Sequence, residues 1–194
     1  MRKLTYYVGV SLDGYIAGPG GEVDFYPWTD DMPEWINARY PETVPTHMRE
    51  PAGIPAGTPN QRWDTLIMGR GTYEPALSAG IASPYAHLKQ YVVSATLAAI
   101  EDPGVELVRS EPLELVRRLK REEGPEGKDI WLCGGGNLAG QLIEEIDELV
   151  IKSYPVLAGT GVPMIGGGFR PTAFTPVRRK EFRNGAQVTW FDRA

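Results

Sequence analysis

Apolar and polar positions along the chain fall into two alternating rhythms. Short runs dominated by β-branched and aromatic residues recur at 4–10, 65–69, 89–94, 105–108, 129–133 and 148–154, each with the length and composition of a buried strand. Between them lie stretches with helix signals. Asp30, Asp31 and Pro33 precede Trp35 and Ile36, and residues 72–79 read as a helix whose first turn tolerates Pro75. Residues 113–123 read as a helix capped by Ser110 and stopped by Gly124. Residues 137–145 form the last, with Leu138, Leu142, Ile143 and Ile146 at helical spacing. Segments 177–183 and 186–191 flank Asn184-Gly185, a dipeptide that tolerates positive φ and so marks a hairpin.

This order of elements predicts an α/β domain with a mixed, mostly parallel central sheet, flanking helices and an antiparallel C-terminal hairpin. A chain of 194 residues suits one domain spanning 1–194. Residues 40–62 interrupt the rhythm, because prolines and glycines recur there among polar residues too often for a regular element. Such an excursion reads equally as a lid, a substrate wall, a subunit contact or a disordered insertion. A second glycine-rich loop covers 159–168.

Composition then narrows the function classes. Hydrophobic residues at 42% and charged residues at 23% describe an ordinary globular chain. A net charge of −5 without a long basic run argues against nucleic acid, and Arg178, Arg179 and Lys180 read as a solvated strand face. One cysteine, Cys133, and two histidines, His47 and His87, leave neither an internal disulfide nor a His/Cys metal site to expect. Cys133 itself reads as a small buried hydrophobe. The N-terminus lacks a signal-peptide h-region, and no window approaches the ~18 apolar residues of a membrane span, so a soluble, cytoplasmic protein is expected.

The candidate chemistry sits in two strand-to-helix turns, Met68-Gly69-Arg70-Gly71-Thr72 and Cys133-Gly134-Gly135-Gly136-Asn137. Both would present free backbone N–H groups and helix-dipole positive ends at one edge of a parallel sheet, which suits phosphates. Glycine lets a backbone approach a ligand closely, and the Arg70 fork can pair with a phosphate. Glycine at a helix start is also a common packing device. Neither turn has the spacing of a P-loop or of the Rossmann dinucleotide fingerprint.

The segment Leu66-Ile67-Met68-Gly69-Arg70-Gly71-Thr72-Tyr73-Glu74 resembles the dihydrofolate reductase segment whose Arg and Thr hold cofactor phosphates, and Gly134-Gly135-Gly136-Asn137-Leu138 resembles that family's second glycine turn. The opening, Val8-Gly9-Val10-Ser11-Leu12-Asp13-Gly14-Tyr15-Ile16-Ala17, resembles the branch related to the C-terminal reductase domain of the bifunctional riboflavin-pathway deaminase-reductase. The resemblance runs from 4 to 191, with 40–62 as its clearest departure.

It implies NADPH as cofactor. Gly69, Arg70 and Thr72 would contact phosphates, Ser94, Ala95 and Thr96 would lie near the adenosine ribose, and Gly134 to Leu138 would support the pyrophosphate. Val8, Ile16 and Ala17 would border the nicotinamide. It also implies a small-molecule substrate and a homodimer, since relatives of this fold often dimerise. The activity implied is hydride transfer to a pteridine-, pyrimidine- or ribosylamino-type compound, nearest the 5-amino-6-(5-phosphoribosylamino)uracil reductases. A non-catalytic metabolite binder and a divergent dihydrofolate reductase are the alternatives.

At the substrate end the residues are Asp13, Asp24, Trp28 and Asp31. Asp13 leaves the first strand at the expected ligand edge and reads either as substrate ligand and proton source or as a turn-stabilising Asp. Asp24 and Glu22 are further acids for orienting a substrate, and among the five tryptophans Trp28 is the stacking candidate. Asp30 and Asp31 double as helix-capping residues, and the position of the dihydrofolate reductase acid falls near Met32.

Overall fold

The computed structural model describes residues 1–194. Its strands are β1 (Leu4–Val10), β2 (Tyr15–Ala17), β3 (Trp63–Gly69), β4 (Lys89–Val93), β5 (Val105–Val108), β6 (Asp129–Gly134), β7 (Glu148–Ser153), β8 (Val162–Pro163), β9 (Phe174–Glu181) and β10 (Gln187–Arg193). The helices are α1 (Asp31–Arg39), α2 (Arg70–Ser78), α3 (Pro112–Arg121) and α4 (Gly136–Gln141). Eight strands form one sheet in the order β5-β4-β3-β6-β1-β7-β10-β9. The first six run parallel, and β10 and β9 close the edge antiparallel. The mixed sheet expected from the alternation is therefore present.

Alternation along each central strand divides its side chains between two cores, as the pleat requires. On one face Tyr6 and Val8 of β1 and Leu132 of β6 pack with Leu115 and Val116 of α3 and Leu138 of α4. On the other, Tyr7, Trp131 and Val150 pack with Met32 of α1 and Tyr73 of α2. All parallel strands end at one edge, and the α2 and α4 starts follow β3 and β6 there, side by side because β3 pairs with β6. No helix is long and apolar enough to cross a membrane.

Three local expectations are corrected. The third helix starts at Pro112, and its N-cap is Glu111 in the left-handed region at φ 55° with no side-chain cap bond, so Ser110 lies outside the helix. Helix α2 begins at Arg70, two residues early, which moves Pro75 from the first turn into the interior. Helix α4 ends at Gln141, four residues short of the expected end at 145, and residues 142–145 are turns.

The excursion 40–62 is neither disordered nor near the glycine turns. It contains two 3-10 turns, Pro41–Thr43 and Thr46–Met48, and packs where strands begin. The Glu42 carboxylate is fully buried and accepts the backbone N–H groups of Gln61, Arg62 and Trp63 at 3.2, 2.7 and 3.1 Å. Asn60 donates to the His87 carbonyl just before β4. This segment closes the edge where the strands begin, and Tyr40 at its start packs on Tyr7 with ring centroids 5.7 Å apart.

Candidate active site

The two glycine turns meet. A Cβ built on Gly69 would lie 3.6 Å from the Gly135 nitrogen, and one on Gly134 would lie 3.2 Å from the Thr72 hydroxyl. Ile16 reaches the same point, its Cδ1 4.0 Å from the Cβ position of Gly135. Neither α2 nor α4 has a side-chain N-cap, so their first N–H groups have no capping side chain. Arg70 bridges outward, donating to Glu74 at 2.6 Å and to Thr96 at 2.8 Å. The buried Ser94 hydroxyl accepts the N–H groups of Thr96 and Leu97, which fixes the 94–97 turn beside it.

Two of the residues expected to contact a dinucleotide have structural reasons of their own. Gly136 must be glycine because a Cβ would collide with the Pro163 carbonyl oxygen. Val8 turns its side chain into the α3–α4 core, leaving only its backbone toward the edge. By contrast, Gly69 at φ −80° has room for a Cβ, and Gly71 has nothing within 4 Å. Protein packing does not demand glycine there, which fits a cradle left open for a ligand.

The acids proposed for substrate are less concentrated. Asp13 accepts the Ala158 N–H at 3.0 Å, the Ser11 hydroxyl at 2.7 Å and the Gly159 N–H at 2.7 Å, and these donors, led by Ala158, hold its pKa down to about 2. It is an anion that ties two loops together, and the proton it would have to give is absent at neutral pH. Asp31 is engaged by Arg183, with the backbone N–H at 3.0 Å, which with the Asn184 bond to the Pro27 carbonyl fastens the start of α1 to the β9–β10 turn. Asp24 is exposed without a hydrogen-bond partner, and Trp28 is 77% exposed. Met32 is buried in the core, so α1 presents no free carboxylate at the position of the dihydrofolate reductase acid.

Asp13 carries a pH prediction. Its depressed pKa makes its loop contacts stabilising above the ordinary carboxylate pKa near 4 and progressively lost as pH falls toward 2. Asp13→Asn is expected to lower the unfolding midpoint at pH 7 and to match the parent near pH 2. An equal difference at both pH values would show that charge is not what these donors read.

A recess opens beside the turns that the sequence reading missed. On the α1–α2 face, Tyr7, Trp131 and Val150 are buried, whereas the next residues along the same strands, Gly9, Cys133 and Lys152, all keep partial solvent exposure. Gly9 pairs with Lys152 across β1 and β7. A Cβ on Gly9 would press on Tyr154 at 3.2 Å, so glycine lets that ring lie over the strand. Tyr26 stacks on Tyr154 with centroids 4.4 Å apart and donates toward the Gly9 and Tyr15 carbonyls at 3.2 and 3.1 Å. The available signals were a lysine on the inward face of a central strand and a glycine inside an apolar one. A groove of about 740 Å³ runs between α4, the start of α3 at Glu111 to Leu113 and residues 164–174, and Asn137 lines it at the second glycine turn.

A family model described as RibD C-terminal domain matches residues 2–188. The chain belongs to the RibD C-terminal domain family. This RibD-type chain is 29% identical over 189 residues to the uncharacterized protein YwjB of Bacillus subtilis (strain 168), covering 96% of each. It is 26% identical over 178 residues to the uncharacterized protein YyaP of the same strain, covering 84% of this chain and 80% of that one. Among solved structures, a provisionally named riboflavin biosynthesis protein of Shewanella sp. PV-4 superimposes with TM-score 0.67 at 24% identity, over all of this chain and 99% of that one. The Thermotoga maritima diaminohydroxyphosphoribosylaminopyrimidine deaminase/5-amino-6-(5-phosphoribosylamino)uracil reductase superimposes with TM-score 0.63 at 15% identity, and this RibD-type chain covers 57% of it. The structural likenesses establish the dihydrofolate-reductase-like fold of the domain.

Proposed function

We propose that the chain is an NADPH-dependent reductase that transfers a hydride to a small pteridine-, pyrimidine- or ribosylamino-type substrate. The observation that carries this reading is the meeting of two helix starts without side-chain caps at Gly69 and Gly134–Gly135, with Arg70 and Thr96 alongside. N–H groups at two such ends favour a diphosphate, and the open Cβ position of Gly71 leaves space for it. Ile16 and Ala17 then border the reactive ring, and the recess beside Cys133 and Lys152 receives the substrate. The cofactor, when bound, supplies the hydride; the chain's own residues set distance, orientation and exclusion of water.

Titration of the purified protein with NADPH and NADH, followed by tryptophan quenching, is expected to show saturable, NADPH-selective binding. Binding of neither nucleotide would overturn the proposal. Arg70 and Gly69 sharpen the test. The Arg70 side chain is 48% exposed in a surface ion pair, so Arg70→Ala is expected to change stability by under ~0.5 kcal/mol while weakening NADPH about tenfold. Gly69→Ala adds a Cβ at ordinary contact distance in an allowed conformation. It should fold like the parent yet bind NADPH less tightly, and unchanged affinity in both variants would place the dinucleotide elsewhere.

A further inference from the structure

The Lys152 ammonium makes no hydrogen bond and no ion pair, and it lies over the Tyr7 ring, 4.5 Å from Nζ to centroid. Burial pulls its pKa down to about 8, against the weak opposing pull of Cys133. Nothing around it supplies a compensating charge. Cys133 on β6 is pushed up to about 12 by burial, as is Tyr26 from the 22–28 loop. Tyr7 on β1 and Tyr85 before β4 stand well above their ordinary value, and Tyr154 after β7 is raised too. Val188 faces it from β10. Lys152 is thus the group of this cluster that titrates near neutrality, and it holds a positive charge with no anion beside it at the floor of a recess with an aromatic wall.

A partly desolvated cation is retained at a cost unless an anion pairs with it, and here the protein offers it only the face of the Tyr7 ring. We infer that Lys152 is the specificity-determining residue of the recess and selects a planar ligand bearing an oxyanion, which pairs with the ammonium while the ring lies against the Tyr26–Tyr154 stack. Identifying this ligand as the substrate rests on the reductase reading; the subsite itself rests only on the geometry. A neutral pterin or pyrimidine would leave the ammonium unpaired, so the site discriminates by charge.

The test compares orotate, a planar pyrimidine carboxylate, with neutral uracil as probes in calorimetric titrations of the full chain, alone and with NADPH. Orotate is expected to bind about tenfold or more tighter than uracil at pH 7. Its affinity should be flat below the Lys152 pKa and fall about tenfold per pH unit above it, as the ammonium is lost. Lys152→Met should reduce the preference to about twofold or less with uracil binding unchanged, the expected signature of a lost charge pair. Lys152→Arg should keep the preference and abolish the pH dependence, because guanidinium does not deprotonate in this range. A preference that survives Lys152→Met, or equal or absent binding of both probes to the parent, overturns the inference. NADPH titration of the same preparations separates the two readings. Failure of NADPH to bind with the orotate preference intact removes the reductase and leaves the subsite, while NADPH binding without the preference does the reverse.

Discussion

Glu42→Ala is expected to destabilise the fold by about 3 kcal/mol or more, an effect carried entirely by the excursion that looks least structured in the sequence. The carboxylate has no solvent exposure and accepts three successive backbone N–H groups at the entry to β3. Truncation leaves those donors without an acceptor in a place water does not reach, and each such loss costs about 1–3 kcal/mol. The Glu42 carbonyl also contacts the His87 ring nitrogen at 2.9 Å, so slack in the 3-10 turn would reach the start of β4. Glu42→Gln keeps one oxygen acceptor and should fall between parent and alanine. Urea unfolding followed by tryptophan fluorescence measures all three, and a loss below about 1 kcal/mol for Glu42→Ala would mean the segment is held by its apolar contacts alone.

Why the sequence misrepresents this segment is physical. The backbone where it enters β3 is satisfied by one buried side chain, and a lone glutamate among prolines carries no periodicity to announce that. The central strands were legible because burial on both faces writes continuous apolar runs, as in Leu66, Ile67 and Met68. Helix ends were less so. The start of α3 is set by Glu111 in a left-handed conformation that its residue type does not favour, and α4 stops at Gln141 although the apolar spacing runs on to Ile146. At the site, glycines announced the turns. They did not announce the recess, which depends on Lys152 lying beside Gly9 across two strands 143 positions apart, a register that becomes visible only once β1 and β7 are paired.

Gly136→Ala and Gly140→Ala are expected to cost about 2–4 kcal/mol each, through backbone collision and not through any loss of ligand contacts. A Cβ on Gly136 would run into the Pro163 carbonyl oxygen and one on Gly140 into that of Gly166, so α4 lies directly on the 162–168 segment. That segment cannot yield cheaply. Its Gly166 N–H donates to the Gly136 carbonyl at 2.8 Å, its Met164 carbonyl accepts the buried Tyr6 hydroxyl at 2.8 Å, and β8 within it pairs with β2. Displacing it therefore also moves Tyr15 to Ala17, and with them Ile16 at the junction of the turns. Stability and NADPH affinity should fall together in these variants, whereas Arg70→Ala should separate them. Gly71→Ala is the matched control. It meets nothing within 4 Å and lies in a helix, where alanine is favoured over glycine by up to about 1 kcal/mol, so its stability should hold or rise. Thermal unfolding of the four variants with parallel NADPH titrations reads both quantities. If Gly140→Ala unfolds like the parent, the 162–168 segment moves freely over α4, and the rigid rim that this site requires on that side does not exist.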